Sequence, residues 1–288
     1  MTARGSTSGT APAPARRARR RATSSSRRRS ERPPALLLVG AALAVALVAL
    51  PLVGLLVRAP WGSLLDDLRS PAATEALRLS LATATCAAAI AVVLGLPLAW
   101  VLARTEVPGR SAIRALVLLP MVLPPVVGGV ALLSAFSRRS LVGGWLDDAL
   151  GIQLTFSPAG VVLAQAFVAL PFFVITVEAA LRQADRRPEQ VAATLGARPW
   201  TVLRRVTLPS VAPALVAGAV LAWARALGEF GATITFAGNI AGRTRTLPLA
   251  IYLALEGDRG AAVSLSIVLL GVSFLVLVAL RDRWFVRT

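Results

Sequence analysis

The chain has 288 residues, 56% of them hydrophobic and only 16% charged, with a mean hydropathy of +0.70, which excludes an ordinary soluble domain. Its 31 basic residues are all arginine, against 14 acidic ones, for a formal net charge of +17. Without lysine the usual P-loop cannot be built, and without histidine neither a Ser-His-Asp triad nor a His-ligated metal site is possible.

Residues 1–34 are rich in Arg, Ser, Ala and Pro and have no apolar periodicity, so they read as a disordered basic tail that fixes topology and touches anionic membrane lipid. Most other arginines fall in short loops between apolar blocks, a distribution that argues against nucleic acid. The apolar blocks are long enough to cross a hydrocarbon core of roughly 30 Å. Six spans can be drawn: Ala35–Val57, then about Thr74–Leu102, Ala112–Phe136, Phe156–Leu181, Leu208–Thr235 and Ala261–Leu280. The one cysteine, Cys86, permits no intrachain disulfide and reads as a small buried residue of the second span. The expected organisation is a tail at 1–34, a first transmembrane helix at 35–57 and a transmembrane domain at 73–284. The fold class is all-α, a polytopic membrane protein.

Arginine placement sets the expected orientation. The tail, Arg104, Arg110 and Arg114 in the second connection, the cluster Arg182, Arg186, Arg187, Arg198, Arg204 and Arg205 in the fourth, and Arg281, Arg283 and Arg287 all fall on one side when six spans alternate. That side should be cytoplasmic, with both termini inside a bacterial cytoplasmic membrane. Several spans carry helix breakers: Pro97, then Pro120, Pro124 and Pro125 followed by Gly128 and Gly129, and Pro171. Broken helices persist where protein or a cavity satisfies the freed backbone groups. Pro124 and Pro125 are therefore candidates for a path that opens and closes.

The fourth connection, residues 182–209, reads as two short helices with a turn. Pro188 suits the first position of a helix and Glu189 its first turn. Ala192, Ala193 and Leu195 favour helix, and Gly196 can adopt the left-handed conformation that ends one. Pro199 can start a second helix, and Pro209 opens the fifth span. Such a rigid knob with a small-residue face can occupy a groove on a partner.

The pattern Glu189-x-x-Ala192-Ala193-x-x-Gly196-Ala197, with Leu208-Pro209 further on, resembles the EAA loop of ABC importer permeases. Gln190 and Val191 stand where that family often has small residues. The resemblance implies the type I importer permease fold, with six transmembrane helices and cytoplasmic coupling helices at Glu189, Ala192, Ala193, Leu195, Gly196 and Ala197. It also implies that ABC ATP-binding subunits dock there. No cofactor is then expected in this chain, ATP being bound by the partner subunit, and the chain is not itself an enzyme.

In the fifth span Arg225 and Glu229 stand at i and i+4, on one face of the expected helix. Some 24 Å of helix separate Arg225 from Pro209, which puts the pair toward the outer half of the bilayer. Ionised groups at that depth face a bundle interior and pair, so Arg225 and Glu229 are gate or pathway candidates. An arginine can attract an oxyanion, but Glu229 partly neutralises this one. The run Gly228-Glu229-Phe230-Gly231-Ala232, with Thr244-Arg245-Thr246-Leu247-Pro248-Leu249 downstream, resembles the molybdate branch of the oxyanion permeases. Sulfate/thiosulfate and tungstate permeases are the near alternatives. The resemblance implies a second copy of the chain, an extracytoplasmic molybdate-binding protein and alternating access. A membrane-embedded enzyme or a scaffold without transport role leaves the Glu189–Pro209 pattern unexplained.

Overall fold

A computed structural model describes residues 34–284. The basic tail up to residue 33 and Arg287 lie outside the described residues, as do the side chains of Arg281 and Arg283. The described residues form helices and no strands. The chain divides into two compact units between Leu50 and Pro51. The first contributes most of α1 (Ala35–Val57), which has the bounds expected from sequence and no buried residue.

In the second unit, α2 (Leu64–Arg69) is a short helix within the first connection, where the apolar pattern predicts none. Next, α3 (Pro71–Arg104) begins earlier than expected, because Pro71 occupies its first turn and Ser70 Oγ accepts the Ala73 N–H at 3.3 Å. Pro97 lies inside α3 without ending it. One face of α3 is a stripe of small residues, Ala84, Ala87, Ala91, Gly95 and Ala99. Small residues let backbones approach closely where lipid gives no hydrophobic drive for association. That stripe packs on α7 (Pro158–Gln183) and α11 (Ala212–Leu227) in the main core. Phe173 of α7 is fully buried there. A methyl added at Gly95 would lie 2.7 Å from its ring, and one at Gly218 3.2 Å. Cys86 is on the other face and is exposed, contrary to expectation, because the periodicity of the Ala stripe turns it outward.

The third span is two helices. α4 (Arg110–Val122) and α5 (Pro125–Phe136) meet at 118°. Leu123 and Pro124 both have extended ψ values, 137° and 132°, as residues preceding proline must. After α5, α6 (Leu141–Leu150) is a second helix unforeseen in a connection. α7 starts at Pro158 rather than Phe156, since Ser157 Oγ caps the Gly160 N–H at 3.1 Å and Phe156 has a positive φ of 56°.

The fourth connection holds α8 (Arg187–Thr194), α9 (Pro199–Val202), a π-helical turn (Leu203–Thr207) and α10 (Leu208–Ser210). The fifth span is not one helix. Pro199–Ser210 is bent by 74° from α11, and α11 ends at Leu227 before α12 (Gly231–Ala237) begins. A separate α13 (Leu247–Gly257) precedes α14 (Arg259–Trp284). The amide of Leu247 donates to Ser80 Oγ at 2.6 Å, tying α13 to α3. Among the described residues four helices are long and apolar enough to cross a membrane, or six spans if each bent pair counts as one.

Candidate functional site

In the fourth connection Glu189 lies in the first turn of α8. Gly196 ends the helix as expected, at φ +82°. Its N–H donates to Ala193 O and that of Ala197 to Ala192 O, each at 3.0 Å, the paired bonds of a Schellman turn. No atom lies within 4 Å of a methyl added at Gly196, so glycine is needed there for backbone conformation and not for space.

The two faces of this element differ. Glu189 does not point outward with the knob. Its Oε1 accepts from Arg104 Nη2 at 3.0 Å and from Thr207 Oγ1 at 2.9 Å, which joins α8 to the last turn of α3 and to the π-helical turn. The Arg104 side chain is 6% exposed, and its Nε and Nη1 have no partner. Ala192 and Ala197 are half-buried, whereas Ala193 is exposed. A cleft of about 330 Å³, lined by Trp100 and Arg104 on one side and Ala193 and Ala197 on the other, separates α8 from α3. Polar contacts therefore hold the element more than dense packing does. The opposite face presents Leu195 at 82% and Trp200 at 68% exposure, together with Val191. Nothing in the described part of this chain covers these apolar side chains. Residue type alone does not single out Trp200 and Val191; their exposure does.

A second buried carboxylate, also missed from sequence, lies close by. Glu178 of α7 is 5% exposed. Its carboxylate pairs with Arg114 of α4 through Nη2, with Nε at 3.4 Å, and accepts from Arg182 Nε at 2.9 Å. Arg182 Nη2 also donates to Leu102 O of α3 at 3.2 Å, satisfying a carbonyl that the end of a helix leaves free. Arg182 stands at i+4 from Glu178 and so was legible as a helical pair, whereas Arg114, 64 residues away, leaves no periodic signal.

The other candidates gather where the two broken spans cross. Glu229 lies in the break between α11 and α12, not on one helix with Arg225 as expected, because the chain leaves helical geometry after Leu227. The pair still forms, Arg225 Nη1 to Glu229 Oε2 at 2.6 Å. Glu229 is 1% exposed, and its Oε1 accepts the Ala232 N–H at 2.9 Å. One carboxylate thus bridges the break: it pairs with the last turn of α11 and caps α12. Both oxygens are engaged, so the pair offers little uncompensated charge to an oxyanion. The bend at Ser210–Ala212 also shortens the climb to Arg225 to about 20 Å of straight helix.

Beside this break α12 lies against α5. A methyl at Gly231 would come within 2.7 Å of Pro125 Cβ, and one at Gly129 within 2.6 Å of Thr235 Cβ. Pro125, Gly231 and, two residues earlier, Glu229 therefore belong to one crossing, with Pro124 at the bend itself. The loop candidates do not join them: α8 packs on α9 and the π-helical turn, α12 on α5 and α7.

Residues 91–287 match the family model described as binding-protein-dependent transport system inner membrane component. The chain is 51% identical over 243 residues to the molybdenum transport system permease protein ModB of Mycobacterium bovis, covering 84% of this chain and 92% of that protein. It is 38% identical to the sulfate transport system permease protein CysT of Escherichia coli, covering 82% and 86% respectively. Its fold is similar to that of a chain in the crystal structure of a bacterial alginate ABC transporter in complex with alginate pentasaccharide-bound periplasmic protein. The TM-score is 0.70 at 18% identity, over 86% of this chain and 92% of that one.

Proposed function

This chain belongs to the family of binding-protein-dependent transport system inner membrane components, the permeases of ABC importers, and from that premise we propose that it carries molybdate across the cytoplasmic membrane. The observation that supports this substrate is the 51% identity to a molybdenum permease over most of both chains, against 38% to a sulfate permease. Tungstate, sulfate and thiosulfate are the anions to test against it.

In this reading two copies of the chain form the path, with the α8 end and both termini in the cytoplasm. The exposed face of Val191, Leu195 and Trp200 meets an ATP-binding subunit, which alone binds and hydrolyses ATP. Glu189 works from behind that face: its bonds to Arg104 and Thr207 make α8 move with the end of α3 instead of flexing on its own. ATP-driven closure of the partner subunits displaces α8, the bundle switches between inward- and outward-facing arrangements, and the crossing of α5 with α12 opens or closes. An extracytoplasmic binding protein delivers the anion. With Arg225 already neutralised by Glu229, the gate passes an oxyanion without holding it, and selectivity falls to the binding protein.

Uptake by cells lacking their own molybdate importer, given this permease with its ATP-binding subunit and binding protein, tests the substrate. Molybdate accumulation that tungstate competes with and excess sulfate does not is the expected result. Sulfate accumulation without molybdate uptake would overturn it.

A further inference from the structure

The α8 element and the bent third span are joined by a series of polar contacts that passes through two other helix ends, those of α3 and α7. Glu189 of α8 holds Arg104. Two residues back along α3, Leu102 O accepts from Arg182 of α7. Arg182 and Arg114 share the Glu178 carboxylate, and Arg114 is on α4, which runs to the bend at Leu123–Pro124.

How α4 is attached gives this series its weight. No residue of α4 is buried. Its apolar contribution to the core is limited to the part-exposed Ile113 and Val117. Glu178, by contrast, is buried and offers Arg114 a two-point, charge-assisted contact. Within this chain, then, the strongest tie between α4 and the rest of the bundle is the polar joint at Arg114. At the other end of the series, Arg104 keeps two buried nitrogens without partners. The same side chain borders the cleft between α8 and α3.

We propose that Glu178, with Arg114 and Arg182, is the positioning joint through which displacement of α8 reaches the bent α4–α5 span and so the gate. The inference rests on the coupling role proposed above for α8. Glu178 touches neither substrate nor nucleotide: it acts by making the ends of α3, α7 and α4 shift together. Removing its charge while keeping its shape loosens that union and lets α8 move without carrying α4.

The test uses the complete transporter, permease with ATP-binding subunit and binding protein, in proteoliposomes. Molybdate uptake and ATP hydrolysis are measured in the same vesicles and reported as their ratio. A residue needed only for folding lowers the yield of complex and leaves that ratio alone. For E178Q the ratio should fall about tenfold, a change in coupling of the size such networks carry, and E178D, which keeps the charge, should recover part of it. R114Q combined with E189Q should lose no more than the worse of the two single variants, since either break interrupts the same series; independent roles would multiply the two losses. A wild-type ratio in assembled E178Q, or multiplied losses in the double variant, overturns the proposal. If E178Q does not assemble, the ratio in R114Q, whose side chain is one-third exposed, decides by the same criteria. Gly196→Val separates the two readings. A lowered ratio there beside a normal one in E178Q sinks the joint alone, whereas a normal ratio in Gly196→Val sinks the coupling role of α8.

Discussion

Around the last turn of α3, helices are joined by charge: Glu189 and Glu178 each bind an arginine from another helix, across 85 and 64 residues of chain. Where α5 crosses α12 the joint is made of glycines at near-contact distance, and the one ion pair there, Arg225 with Glu229, is local to the break it spans. The two chemistries suit different motions. A buried ion pair loses much of its energy when its partners separate, so it drags one helix along with another. Glycine contacts carry little directional energy and let two backbones slide past each other or part. In the function proposed above, the first region transmits a displacement and the second responds to one.

The largest expected effect attacks the local pair. R225L strands a carboxylate that is 1% exposed and should cost about 3–5 kcal/mol, read as thermal unfolding of the solubilised permease. R225L with E229Q should recover much of that, because glutamine still offers an acceptor to the Ala232 N–H. Strict additivity in this cycle would mean that the pair contributes nothing. A smaller effect follows from filling the crossing. G231A places a methyl 2.7 Å from Pro125 Cβ and should lower stability by about 1–3 kcal/mol, with uptake falling alongside. G228A is the matched control: its methyl meets nothing nearer than Ala224 O at 3.6 Å, and equal damage from both would remove the crossing from the account.

At the transmitting region, Leu195→Ala and Trp200→Ala should each weaken binding of the ATP-binding subunit by about 1–2 kcal/mol, measured as affinity in detergent. Their own stability should stay within roughly 0.5 kcal/mol, since both side chains are largely exposed. Unchanged affinity would place the docking surface elsewhere. Smallest of all is Cys86→Ser on the exposed face of α3, expected to shift stability by under about 0.5 kcal/mol. A loss well above that would show this face to be covered in the assembled transporter.

Much of the fold could be read from local chemistry. The bounds of α1 follow from an uninterrupted apolar run, the turn at Gly196 from glycine's access to positive φ, and the interruption of the third span from Pro124-Pro125. What could not be read depends on distant partners. Two prolines announce a break but not an angle of 118°, which the packing of α5 on α12 and α7 selects. Helical spacing put Arg225 and Glu229 on one face, and the pair does form, yet the helix ends between them because Glu229 is also engaged as the cap of α12. Glu189 was legible as a first-turn acid of α8; that it turns toward Arg104 instead of outward was not, because the arginine arrives from another helix.

One measurement bears on the transmitting region most directly: molybdate uptake per ATP hydrolysed by the reconstituted transporter carrying Gly196→Val. A Cβ at this position meets no atom within 4 Å, so the substitution acts chiefly by opposing the left-handed turn, at a cost of about 1–2 kcal/mol. Hydrolysis should continue while uptake per ATP falls several-fold. A variant that assembles, hydrolyses ATP and imports molybdate at the wild-type ratio would contradict it.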